Sequence, residues 1–388
     1  MKKALIVTHV SGFVPQFEMN NVHILQEMGY EVHYASNFNN VSYGTDNHRL
    51  DGTGIVRHQV DFARSPFEVK TNIRAYWQLK KIFRNQKFEL VHCHTPIGAA
   101  LARIAARSYR KTGTKVVYTA HGFHFYKGAP LWYWIPFYPA ERLLASCTDV
   151  LITINQEDYK RAGAFCRKKA VRVERIPGVG IDTAKFDESS LPEEQRRNIR
   201  ADVRKELGVT EKQLLLLSIG ELNKNKNHTL VIEALRETKK DCCYVICGEG
   251  KQRGFLEQKI QEYGLEQRVF LLGYRKDVNR LLMAADVFVL PSFREGLSCS
   301  LQEAMAASLP VIASDIRGNR ELIRREYGGW LVAPADIKEM VQVINKLEKA
   351  DMAAYGDFNY DRIQKYDRTI VEEKMRNIYV SLRKEKEK

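Results

Sequence analysis

The stretch PSFREGLSCSLQEAMAASLPVIASD, from Pro291 to Asp315, organises the reading of the whole chain. It overlaps the end of a short β-branched run, DVFVLPS (286–292), and closes on a second, PVIASD (310–315). Between them, a loop of small residues passes into a segment of helical character. Strand, loop, helix, strand is the repeating unit of a parallel sheet covered on both faces. Glu295 lies in the loop and Glu303 in the helix, with Gly296, Leu297, Ser298, Cys299 and Ser300 between them. Small residues let backbone approach a ligand closely. A helix beginning near Ser300 would aim its free N–H groups back at the loop, which suits a diphosphate. Plainer readings fit the same residues. Ser300-Leu301-Gln302-Glu303 has the spacing of a capping box, and Glu295 reads equally as a solvated loop carboxylate.

The unit recurs outward in both directions. On the N-terminal side the strand candidates are KALIVTHV (3–10), EVHYAS (31–36), GIVRHQV (54–60), ELVHCHT (89–95), KVVYTAH (115–121), DVLITIN (149–155) and VRVERIP (171–177). The alternation pauses in the polar stretch at about 180–210. It resumes with LLLLSIG (214–220), CCYVICG (242–248), RVFLLGY (268–274) and GGWLVAP (328–334). A chain of 388 residues accommodates two such α/β domains. The expected division is an N-terminal domain over 1–185 and a second over 186–367, with a C-terminal helix at about 368–388 packing back on the first. In doubly wound sheets ligands bind outside the carboxyl ends of the strands.

The string from Pro291 resembles that of the retaining nucleotide-sugar glycosyltransferases of the family-4 type. Their mark is two glutamates separated by seven residues, in a pattern matched here by Pro291, Ser292, Glu295, Gly296, Glu303, Ala304, Met305 and Ala306. The resemblance implies an α/β GT-B fold, two Rossmann-like doubly wound domains facing a central cleft. It also implies an enzyme, a hexosyltransferase. By the same likeness Glu295 binds donor-sugar hydroxyls, Glu303 binds the nucleotide ribose, and the loop Gly296–Ser300 holds the donor phosphate and sugar. SIGELNKNKNHTLVIEAL (218–235) is similar to the family's phosphate-binding loop, so Gly220 and Lys226 join the donor site. Lys226 would set a positive charge against the leaving diphosphate. Glu221 stands where many members carry arginine, which removes the expectation of a second cation from this loop. CGEGKQR (247–253) and LLGYRKDVNRLLMAADVFVLPS (271–292) continue the resemblance and place Gly248 and Arg275 beside the base.

In the N-terminal domain, LVHCHTPIGA (90–99) and YTAHGF (118–123) each carry a histidine at the end of a strand. His121 resembles the family histidine that touches the donor sugar, and His94 is an acceptor-side candidate. His92 and His124 read as structural. Gly12, in the loop after the first strand, is the expected point of close approach to acceptor or donor phosphate. The chain has no Asp-x-Asp pair for a metal on the diphosphate. No metal ligand set and no cofactor are therefore expected, the nucleotide-sugar being a co-substrate. The family is thought to transfer with retention on one face of the sugar, the departing phosphate helping to deprotonate the acceptor hydroxyl.

Charge is unevenly spread. Of a formal net +14, the segment from Val69 to Lys115 carries eleven basic residues and one acid. NIRAYWQLKKIFRNQK reads as a basic amphipathic helix suited to an anionic membrane surface, or as a core-facing helix with a solvated face. Tyr76, Trp77, Lys80, Lys81, Arg84, Arg103 and Arg107 are the acceptor-side or membrane candidates there. The neighbouring strip HGFHFYKGAPLWYWIPFYP (121–139) adds Phe125, Tyr126, Trp132 and Trp134, with a buried helix as the alternative. No nucleic-acid module is visible. No stretch is long and apolar enough to span a bilayer, and the scattered cysteines read as reduced, mostly buried thiols.

The expectation is thus a transferase, peripheral on the cytoplasmic face of the plasma membrane. It would move a hexose or N-acetylhexosamine from a nucleotide diphosphate, UDP by family habit, to a polyprenyl-diphosphate-linked saccharide. TAHGFHFYKGAP, GVGIDTAKF and GELNKNKNH resemble a subgroup building capsule, exopolysaccharide or O-antigen, with other glycan-assembly enzymes as partners. The alternatives are another GT-B enzyme, such as an epimerase or phosphorylase, or a non-catalytic partner subunit.

Overall fold

The computed structural model describes residues 1–40, 42, 47–167 and 169–387, and the side chains of all of these except 349–351 and 385–387. The chain divides into two compact units, 1–179 with 369–388, and 180–368.

The first unit is built on a seven-stranded sheet, β1 (Lys2–Val7), β2 (Tyr30–Ser36), β3 (Val56–Gln59), β4 (Leu90–His94), β5 (Lys115–Ala120), β6 (Val150–Thr153) and β7 (Arg172–Arg175). Their order is β3-β2-β1-β4-β5-β6-β7, and every neighbouring pair is parallel. The central strands are buried on both faces, as continuous apolar runs require. The helices are α1 (Met19–Glu27), α2 (Val69–Asn85), α3 (Pro96–Ala106), α4 (Leu131–Leu144) and α5 (Gln156–Cys166). One face of the sheet carries a core where Leu79 and Phe83 of α2 and Ala99 and Ala102 of α3 pack with Val91, Tyr118 and Phe125.

The second unit has six parallel strands, β8 (Leu214–Ile219), β9 (Cys242–Cys247), β10 (Val269–Gly273), β11 (Val287–Leu290), β12 (Val311–Ser314) and β13 (Gly329–Val332). Their order is β10-β9-β8-β11-β12-β13. Its helices are α6 (Thr183–Phe186), α7 (Glu193–Glu206), α8 (His228–Glu237), α9 (Arg253–Glu262), α10 (Val278–Ala284), α11 (Cys299–Ala306), α12 (Arg317–Leu322), α13 (Ile337–Asn345) and α14 (Lys349–Ile363). The last helix, α15 (Arg368–Glu387), returns to the first unit. There Tyr379, almost wholly buried, shares a 2.8 Å hydrogen bond with His92 Nδ1, and Arg376 pairs with Glu27.

The boundary falls between Val179 and Gly180, a few residues before the position expected from sequence. Thr183 explains the shift. Its N–H and hydroxyl both donate to Asp367 Oδ2, at 3.2 and 2.6 Å, and Ile181 bridges to Asp367. These contacts place 180–186 with the second unit.

Each sheet reverses direction once. The reversal lies between β1 and β4 in the first unit and between β8 and β11 in the second. Chains leaving adjacent strands there turn to opposite faces and open a crevice, the usual ligand position in such sheets. The candidate residues gather at these two points.

Candidate functional site

In the second unit, the loops after β8 and β11 meet at the switch point. Asparagines tie them together. Asn225 Nδ2 donates to the Arg294 carbonyl at 2.9 Å, and its own carbonyl accepts from Phe293 N–H at 2.8 Å. Asn227 Nδ2 donates to the carbonyls of Pro291 and Pro334, at 3.1 and 2.8 Å. Asn227 itself has φ +53°, a left-handed conformation that asparagine tolerates better than most residues. The polar run NKNKN is therefore a built loop.

Lys226 is held between these clamps. Its Nζ lies 2.9 Å from Glu295 Oε1, with both side chains more than four-fifths buried. The structure thus brings together the expected leaving-group cation and the expected sugar-binding carboxylate, 69 residues apart. A Cβ at Gly220 would come within 3.0 Å of Lys226 Cε, so this glycine gives the lysine its path across the backbone. A Cβ at Gly248 would come 1.9 Å from the Gly220 carbonyl oxygen, and one at Gly318 2.2 Å from that of Gly296. Gly248 acts in packing against the loop after β8.

Helix α11 begins at Cys299, one residue before the expected start. Its cap is Ser298, whose Oγ accepts from Leu301 N–H at 3.4 Å and lies 3.1 Å from Ser300 Oγ. The capping box read on Ser300 and Glu303 is not formed, because Ser298 holds the N-cap. Leu297 and Ser298 are buried, which anchors the loop, while Gly296, Cys299 and Ser300 are partly accessible. Burial pushes the Glu303 carboxyl up to about 7, against a smaller opposing pull from the Lys185 cation. Arg275 is clamped by two carboxylates, Asp277 at 2.7 and 2.6 Å and Glu206 at 2.6 Å. The contact with the base expected of it meets a guanidinium already engaged.

In the first unit, His94 ends β4 and His121 follows β5. His94 Nδ1 lies 3.1 Å from His121 Nε2. Glu18 completes the group, with Oε1 3.4 Å from His94 Nδ1 and 3.5 Å from His121 Nε2. Asn21 Nδ2 donates to the other oxygen, Oε2, at 2.5 Å. The Phe13 ring packs edge-on to His121 at 5.0 Å. Burial lowers His121 to about 4 and His94 well below its usual range, with His92 and His121 adding repulsion at His94. Burial raises Glu18 to about 8, partly offset by Asn21. Glu18 was missed in the sequence because no motif marks it; its one signal is a carboxylate in the apolar loop after β1. His92 is structural as expected, with Nδ1 on Tyr379 and Nε2 2.8 Å from Thr119 Oγ1. His124 stacks on Phe137 at 4.3 Å.

Several N-terminal expectations need correction. A Cβ at Gly12 would lie 1.5 Å from the Ser42 carbonyl oxygen, so what approaches this glycine is backbone of its own unit. Arg103 is 1% exposed and cannot face a membrane. It makes a bidentate pair with buried Glu141 at 2.8 and 3.1 Å and stacks over Tyr118, whose hydroxyl donates to the same carboxylate at 3.2 Å. Phe125 is core. Trp134 packs against that core with Arg161 over its ring at 4.7 Å, and Tyr76 packs there too. Tyr126 is half-buried.

The rest of the aromatic strip divides by face. Trp134, Phe137 and Tyr138 of α4 pack inward, whereas Leu131, Trp132, Ile135 and Leu143 are exposed, Trp132 by 63%. The strip is neither a wholly buried helix nor a wholly exposed one. On α2, Trp77 and Ile73 are exposed together with Lys81 and Arg84, and Arg107 is exposed just past α3. Lys80 leans over the Tyr109 ring at 4.8 Å. Among the described residues no helix is long and apolar enough to cross a membrane. Six cysteines are buried and Cys299 is partly accessible.

Two doubly wound parallel sheets in series, each with its polar loops at a switch point, define the class: an α/β protein of two Rossmann-like domains. Comparison with known proteins gives the family. Residues 21–185 match Glycosyltransferase Family 4, and residues 199–364 match the glycosyl transferases group 1. Bacillus subtilis (strain 168) EpsD, named as a glycosyltransferase, is 38% identical over 89% of this chain and 87% of its own. The UDP-Gal:alpha-D-GlcNAc-diphosphoundecaprenol alpha-1,3-galactosyltransferase of Escherichia coli is 30% identical over 70% of each chain. The crystal structure of Anabaena HepE with UDP and glucose superimposes with a TM-score of 0.76, over 98% of this chain and 100% of that one, at 19% identity. The chain belongs to the family-4-type glycosyltransferases and has the GT-B fold. Its relatives include glycosyltransferases named for amylovoran biosynthesis in Erwinia amylovora and colanic acid biosynthesis in Escherichia coli.

Proposed function

We propose that this chain transfers a hexose or N-acetylhexosamine, with retention, from a UDP-sugar to a polyprenyl-diphosphate-linked saccharide during assembly of a bacterial surface polysaccharide. The observation that carries the reading is the Lys226–Glu295 pair at the switch point of the second unit. A diphosphate at this loop meets one fixed cation, and Glu295, released from Lys226, accepts hydrogen bonds from sugar hydroxyls. Glu303 accepts from the ribose. The bond from the anomeric carbon to the phosphate oxygen breaks, and the bond to the acceptor oxygen forms on the same face. The acceptor proton passes to the departing phosphate. Charge grows on that phosphate in the transition state, so a positioned lysine and the amides at the start of α11 act where they lower the barrier most. On this reading no metal is needed on the diphosphate.

The relative from Escherichia coli, whose name specifies a UDP-sugar donor and a diphosphoundecaprenol acceptor, supports the substrate class. The exposed apolar and basic residues of α2 and α4 support peripheral binding to an anionic bilayer on its cytoplasmic side, where each cation adds ~1 kcal/mol. A panel of nucleotide-sugars read by thermal shift tests the donor. A ligand that binds only the folded protein stabilises it by ~2.7 kcal/mol at a hundred times its dissociation constant. The expected result is a shift with one UDP-sugar that Lys226→Ala abolishes. Clean epimerisation of the donor without acceptor would point to an epimerase instead.

A further inference from the structure

We propose that Glu18, His94 and His121 form a binding site for a divalent transition-metal ion of the zinc class within the first unit. Three potential ligand atoms converge there from three separate segments: the helical turn Val14–Glu18 that leads into α1, the end of β4 and the residue after β5. Their separations are 3.1, 3.4 and 3.5 Å.

The His94–His121 contact is of hydrogen-bond length, and it is the two contacts of Glu18 that separate two explanations. A hydrogen-bonded relay would hold N–H···O contacts at about 2.7–3.2 Å, and shorter still if a charge assisted them. Both carboxylate-to-imidazole distances are longer. Bonds of about 2.0–2.1 Å to a tetrahedral ion place the ligand atoms roughly 3.3–3.4 Å apart. The triangle fits one face of such a tetrahedron and leaves a fourth position for water or a ligand hydroxyl.

The surroundings agree. The His94 and Glu18 side chains are 0% and 3% exposed, so a carboxylate is held away from water. Among the described residues no lysine or arginine makes an ion pair with it. Two imidazoles with one carboxylate form a donor set that suits zinc. Asn21 holds Oε2 and turns Oε1 toward the imidazoles, the supporting role that outer residues play at metal sites. His121, 22% exposed, provides the way in. Ligation through its Nε2 leaves its proton on Nδ1. His94 Nε2 is buried without a hydrogen-bond partner, so one outer support is missing and binding is expected to be weaker than at closed structural zinc sites. This ion is distinct from one on a donor diphosphate, where Lys226 supplies the charge.

The test uses the full chain without an affinity tag, stripped with chelator and titrated with Co²⁺, with Zn²⁺ as competitor. The expected result is about one Co²⁺ per chain, with the intense visible bands of a four-coordinate ion, displaced by Zn²⁺. Glu18→Gln, His94→Gln and Asn21→Ala should each weaken binding by about 10–100-fold. Circular dichroism and the UDP-induced thermal shift control for folding. Absence of stoichiometric binding, or binding that survives Glu18→Gln and His94→Gln in folded protein, overturns the proposal. A UDP shift intact alongside failed cobalt binding leaves the transferase reading standing.

Discussion

The two units share a topology and differ in what they place at the same point of it. Each has one reversal in its sheet, between β1 and β4 or between β8 and β11. In the second unit that point holds opposite charges in contact, Lys226 on Glu295, partly open to water. In the first it holds two imidazoles and a buried carboxyl, all three pushed by burial toward their neutral forms. The topology dictates where a site forms, and the residues alone decide what the site binds. A charged, asparagine-braced loop suits a phosphate, whereas a dry nitrogen–oxygen triangle suits a group that brings its own charge.

The contrast can be broken at graded cost. The largest effect is expected away from both switch points. Arg103→Ala strands Glu141 in the core, and removing one partner of a buried pair costs ~3–5 kcal/mol. Urea unfolding should show a matching loss, with the UDP-induced shift of the folded protein unchanged. Next, Lys226→Ala should lower kcat/KM by ~10²–10³-fold, the scale of one lost electrostatic contact to a leaving group. Melting temperature should fall by less than for Arg103→Ala, since Lys226 is 17% exposed where Arg103 is 1% exposed. A rate near that of the parent would show that the cation acts elsewhere.

A smaller effect is expected from pH. Glu303 is raised to about 7 by burial, and in the ribose-binding role proposed for it a carboxylate is the better acceptor. Below that value it is protonated and loses acceptor capacity. UDP affinity measured by calorimetry should therefore fall as pH drops from about 8 to about 6, and Glu303→Gln should flatten the profile. The smallest effect belongs to the surface of the first unit. Trp132→Ala with Ile135→Ala should weaken binding to anionic liposomes several-fold, by about 1–2 kcal/mol of lost apolar contact, without loss of stability. Unchanged liposome binding would assign the exposed face of α4 to some other contact.

The fold was legible because the strands are short apolar runs at regular intervals, and such runs in a parallel sheet need no partner information. The second-unit site was legible for a related reason. Lys226 and Glu295 sit in two loops and Glu303 in the helix after the second, at offsets that a local pattern records, and the fold brings Lys226 and Glu295 into contact. The first unit was harder. Arg103 looked like part of a basic surface because Glu141, which neutralises it, comes 38 residues later. Gly12 looked open because the Ser42 carbonyl that fills its space is distant in sequence. Glu18 carried no motif at all. In each case the deciding neighbour arrives through tertiary packing, which local pattern does not record. The strip from His121 to Pro139 was ambiguous for another reason: residues of one character fill both faces of α4, so composition could not tell the packed face from the exposed one.

Helix α15 has a consequence for how the molecule is made. The sheet of the first unit is synthesised before residue 180, but Tyr379, which closes over His92 behind the histidine pair, comes after the whole second unit. Domains tend to fold in the order in which they leave the ribosome. Here the first to emerge is the last to be completed. Until Thr369 and the residues beyond it are made, the underside of the His92–His94 strand lacks its cover, and the second unit can finish folding first.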